Sequence, residues 1–122
     1  MLRDMELCRK ILLVIEEQYV DTAIFNLKVE GYSMKNIAYH CKLLYDAKLI
    51  SDYKPMYGDD HLLSFGVGAI TWEGHEYLDK IRQDTIWKEI KNKIQENSLP
   101  TTIEVVSKVA AHIISDKLSA IF

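Results

Sequence analysis

A chain of 122 residues, 48 % of them apolar and 27 % charged, can build one compact core and has neither a disordered nor a fibrous composition. Its formal charge of −3 gives an average field that repels phosphate, so nucleic-acid binding must come from a local basic patch. Cys8 and Cys41 make no disulfide framework and no CxxC knuckle, the N-terminus MLRDMELCRK turns charged at once, and no apolar run reaches membrane-spanning length. These features predict a cytoplasmic protein with two buried reduced thiols and no membrane partner.

Asp4 can cap a first helix through about Glu17, with Met5, Cys8, Leu12 and Ile15, widened by Ile11 and Val14, facing inward and Arg9, Lys10 and Glu16 facing water. The period then changes. In TAIFNLKVEG, Ala23, Phe25, Leu27 and Val29 alternate with polar neighbours, which predicts a half-buried strand ended by Gly31. A second helix follows from Ser33. Met34, Ile37, Ala38, Cys41, Leu44 and Tyr45 share its apolar face, and Lys35, Asn36, Tyr39, Lys42, Leu43 and Asp46 the other.

Residues 49–54 and 63–70 read as two strands of a hairpin joined by a turn-rich loop over 55–61, and Gly66 and Gly68 predict a bulge or a close backbone approach. Thr71 caps a third helix with Trp72, His75, Tyr77, Leu78 and Ile81 available to face inward, and Gly74 inside it points to a close contact. Asp84 restarts or continues the helix with the stripe Ile86, Trp87, Ile90 and Ile94. Pro100 blocks continuation, and Thr101 with Glu104 has capping-box spacing for a last helix whose apolar residues cover more than half its circumference. Such a wide arc needs cover from the chain's own core or from a second copy. Val105, Val106, Val109, Ile113 and Ile114 are the candidate dimer seam.

The stretch HCKLLYDAKLI, residues 40–50, resembles the pattern H-L-x-x-L-x-x-A-G-L-V that closes the reading helix of many bacterial winged-helix repressors, and AITWEGHEYL resembles the L-T-x-x-G-x-x-x-L that opens the helix after their wing. The stretches RDMELCRKILL, GYSMKNIAYHCKLLYDAKLI and TWEGHEYLDKIRQDTIW are similar over residues 3–94 to a group of small bacterial and prophage proteins, the domain-of-unknown-function 2513 family, with Ile70 standing where that group has Leu. The resemblance implies an α+β, mostly helical, winged-helix-like domain over 1–82 (helix, strand, helix, β-hairpin wing, helix), with a C-terminal helical extension over 83–122. It brings no catalytic residues. Two departures from the repressor pattern stand out: Lys48 replaces the glycine after the reading helix, and no helix fits between the strand and Ser33.

Lys35, Asn36, Tyr39 and Lys42 on the second helix and Lys54 on the wing form a candidate surface for duplex DNA, since lysines meet phosphates while Asn and Tyr reach bases or backbone. The competing reading is a solvated or protein-contacting face, because Leu43 and Asp46 lie among these residues and Asp59 and Asp60 outweigh Lys54 on the wing. His40, His61, His75 and His112 lack ligand spacing, the serines lack a nucleophile elbow, and GVGAIT is no phosphate loop. The expectation is therefore a phage-type regulatory protein, not an enzyme, with no cofactor or metal. Duplex DNA, a second copy or another protein is its partner.

Overall fold

Asp4 starts the first helix as its position predicts: its carboxylate accepts from the Glu6 and Leu7 amides, and α1 runs Met5–Gln18 in a computed structural model that describes residues 1–122. The chain forms two units, Met1–Glu76 and Tyr77–Phe122, with the division falling inside the third helix. In α1 the buried stripe holds Met5, Cys8, Ile11, Leu12 and Ile15 together with Leu7. Arg9, expected in water, is buried instead.

Strand β1 is only Ile24–Phe25. The alternation over residues 23–29 promised a longer strand, but Asn26 adopts a left-handed backbone (φ 51°) that turns the chain out of the ladder. The phase also differs from expectation at its start, since Phe25 is 72 % exposed and only Leu27 and Val29 are buried. Phe25 lays its ring over Gly66, where a Cβ would sit 3.1 Å from Cε1.

Helix α2, Met34–Asp46, is capped by Ser33, whose hydroxyl accepts from the Asn36 amide. Ile37, Ala38, Cys41 and Leu44 face inward as predicted, whereas Met34 and Tyr45 are exposed and His40 is fully buried in their place. The hairpin is tighter than its composition suggests. Strands β2 (Tyr53–Gly58) and β3 (His61–Val67) run through the expected loop and leave a turn at Asp59 and Asp60, both left-handed (φ 49° and 64°). The irregularity lies between Met56 and Tyr57 rather than at a glycine, while Gly66 and Gly68 are the close approaches. Both outer strands pair antiparallel with the central β3, giving the order β1-β3-β2. Helix, strand, helix, hairpin and helix around this sheet make an α+β, mostly helical, winged-helix-like arrangement.

Helix α3, Trp72–Ile81, begins at Thr71, whose Oγ1 accepts from the Gly74 amide (3.0 Å) and donates to the Lys48 carbonyl oxygen (2.6 Å). Tyr77, Leu78 and Ile81 are buried, but Trp72 is 78 % exposed and His75 also faces water, because the first turn of α3 packs through Gly74 and turns both of these side chains outward. The helix breaks at Arg82 and Gln83, and α4 restarts over Asp84–Glu96 with Trp87, Ile90 and Ile94 buried. Helix α5, Ile103–Ile121, is capped by Thr102, which accepts from the Val105 amide, one residue later than the Thr101 cap that the spacing predicts. Helices α4 and α5 pack on each other, burying Val106, Ala110 and Ile113.

Candidate nucleic-acid interface

The outer face of α2 carries the basic groups that the sequence singles out. Lys35 projects from the first turn into solvent, Asn36 and Tyr39 are half-buried, and Lys42 lies exposed one turn further on. Lys42 Nζ stands 3.0 Å from Asp46 Oδ2, and this hydrogen bond, with the charge behind it, holds the ammonium pKa above its ordinary value. Strand β2 packs against α2, and the Tyr39 and Tyr57 phenols also raise the pKa of the same ammonium.

Strand alternation explains which hairpin residues join this face. Tyr53 and Tyr57 are an even number of residues apart and share one side of β2. Their phenols are hydrogen-bonded, and the Tyr53 hydroxyl is pushed up to about 12 by burial first and by Tyr57 next. Lys54 lies between them in sequence and is exposed on the opposite side, so the structure does not gather it with Lys35 and Lys42. Tyr53 and Tyr57 are the site residues missing from the sequence reading. Their signal was the spacing, hidden because residues 55–61 read as loop.

His40 anchors α2 from behind. The Asp4 backbone N–H donates to Nε2 (2.8 Å), so that nitrogen carries no proton, and Nδ1–H donates to the Asn36 carbonyl oxygen (2.8 Å). The Tyr39 ring meets the imidazole edge-on, with centroids 5.5 Å apart. Asp4 also bonds the Tyr32 phenol, whose pKa rises through burial, Asp4 and Glu6, and Lys10 lies 5.6 Å over the Tyr32 ring. One chain of contacts thus joins the start of α1, the approach to α2 and its first turn.

The field around this face is not basic. The Met1–Glu76 unit holds eight Lys and Arg side chains against twelve Asp and Glu, a net −4. No group of three or more His, Cys, Asp and Glu side chains is placed to hold a metal ion. On α5, Val106 and Ile113 are buried within the chain, Val105, Val109 and Ile114 are half-buried, and Leu118, Ile121 and Phe122 are exposed. No helix is long and apolar enough to cross a membrane.

No solved structure matches the chain. An uncharacterized protein of Haemophilus influenzae (strain ATCC 51907 / DSM 11121 / KW20 / Rd) is 36 % identical over 122 residues, covering 98 % of this chain and 100 % of that protein. Residues 2–100 match the family described as hypothetical protein DUF2513. The chain belongs to the DUF2513 family.

Proposed function

We propose that the Met1–Glu76 unit is a cytoplasmic, phage-type regulatory module that contacts duplex DNA through the outer face of α2, and that copies pair through α5. The observation that carries the reading is the grouping of Lys35, Tyr39 and Lys42 on one helix face with the Tyr57 phenol beside them, a set that offers ammonium and hydroxyl donors to a phosphate backbone. Hydrogen bonds from His40 brace that helix against the start of α1, which supports a rigid reading surface.

Duplex binding measured by fluorescence anisotropy should weaken steeply with salt, and Lys35→Glu with Lys42→Glu should reduce the slope of log affinity against log salt by about two. No binding to any duplex at low salt would end this reading. A second reading, that the same fold binds a protein and never DNA, is favoured by the net −4 of the unit and by the Asp46 carboxylate already held by Lys42. It predicts that the double variant leaves the low-salt anisotropy unchanged because neither protein binds.

A further inference from the structure

One face of the sheet stays open to water and is apolar in its middle. Residues 54, 56 and 58 of β2 share that face, since side chains alternate along a strand. Lys54 pairs with Gly66, which pairs in turn with Phe25, so the three form a row across the sheet, with the Phe25 ring lying over Gly66. Met56 and Ser64 make the next row. The register then shifts between Met56 and Tyr57, which leaves Leu63 without a partner on β2. Its side chain lies over Gly58, where a Cβ would stand 2.6 Å from Cδ1. Phe25, Met56 and Leu63 are thus brought to one side of the sheet, 72 %, 62 % and 51 % exposed. Charge sits only at the two ends: within residues 53–67 the Lys, Arg, Asp and Glu side chains are Lys54 near the start of β2 and Asp59 and Asp60 at the turn.

We propose that this face docks on the same face of a second copy, the two hairpins stacking antiparallel about a two-fold axis that passes between them at Met56. The occupant follows from the charge pattern. Met56 stands midway, two residues from Lys54 and two from Gly58 before the turn, so the axis brings each Lys54 to the partner's Asp59 and Asp60. Met56 then meets the partner's Met56, and Leu63 lies beside the partner's Phe25 ring. A two-fold interface requires such self-complementarity. The outer edge of β2 offers no rival site for strand addition, because Pro55 has no N–H to donate there. Three apolar side chains and a lysine from each copy fall short of the roughly 800 Å² per partner of a stable complex, so the pairing is weak, with a dissociation constant on the order of 100 μM. Sedimentation at about 10 μM therefore reads α5 pairing alone. The face is on the side of β2 away from Tyr53 and Tyr57, so this proposal and the DNA reading stand or fall independently.

The test follows the amide resonances of the isotope-labelled full chain from about 20 μM to about 1 mM. Shifts at residues 25, 54, 56 and 63–66 should change with concentration and fit one self-association constant. Lys54→Asp alone, and Asp59→Asn with Asp60→Asn, should each weaken association by about tenfold, because two exposed ion pairs are lost at once. Asparagine keeps the left-handed turn accessible, so the second variant separates charge from folding. Met56→Glu should abolish the shifts. Mixing the Lys54→Asp chain with an Asp59→Lys/Asp60→Lys chain should restore the parental affinity, with circular dichroism melts showing that both are folded. Adding Met56→Glu to either chain should remove that rescue, which general attraction between oppositely charged chains would not do. The proposal is overturned by hairpin amides that do not shift up to about 1 mM, by shifts that persist in Met56→Glu, or by a mixture that associates no more tightly than its parts.

Discussion

Single residues show how burial alters chemistry. Cys8 and Cys41 lie in the interior of the first unit, and burial pushes both thiols from 9.0 up to about 12. Each keeps its proton longer in the folded chain than in the unfolded one. Their contribution to stability is therefore full below pH 9 and is lost as pH rises from 9 towards 12, at about 1.4 kcal/mol per pH unit for each thiol. Between pH 8 and pH 10 the urea-unfolding free energy should drop by roughly 2–3 kcal/mol more than in a Cys8→Ala/Cys41→Ala variant. Identical pH dependence in the two proteins would refute the assignment. Apolar neighbours made the burial of these thiols legible in the sequence. His40 was not legible, because an imidazole enters a core only where two partners are placed for it, here the Asp4 amide 36 residues away and the Asn36 carbonyl one turn back in its own helix.

At the level of elements, backbone geometry decides between similar side chains. Lys48 holds φ 64° at the exit of α2, a left-handed state that glycine adopts without strain, and Lys48→Gly should raise stability by about 1 kcal/mol. Gly74 works in the opposite sense. A Cβ there would run into the Leu49 carbonyl oxygen, a backbone atom that accepts from the Thr71 amide and cannot retreat. Gly74→Ala should cost about 2 kcal/mol or more despite the ~1 kcal/mol gain in helix propensity. Thermal melts of the two variants check both signs, and a stabilised Gly74→Ala would show that the packing of α3 on that carbonyl is wrong. The helices and their Asp4, Ser33 and Thr71 caps were readable because cap and stripe are local. The hairpin length was not: Pro55 and Gly58 look like loop residues, and only pairing with β3 makes them strand.

For the whole molecule, the balance on α5 is between self-cover and pairing. Val106 and Ile113 serve the chain's own packing, which leaves Val105, Val109 and Ile114 at half burial and Leu118, Ile121 and Phe122 exposed. Analytical ultracentrifugation should show a dimer for the parent chain and a folded monomer for Val109→Asp, whereas Ile113→Asp should unfold its unit. A parent chain that sediments as a monomer, or a dimer untouched by Val109→Asp, would sink the seam. The sequence by itself determined the order of helices and strands, the α+β class and the outward lysines of α2, because periodicity and caps act within a few residues. Only the tertiary structure decided that Tyr57 joins that face while Lys54 leaves it, that His40 lies behind it, and that the strand signal after Phe25 goes unpaired. Those outcomes depend on which distant backbone lies alongside, and no local pattern carries that information.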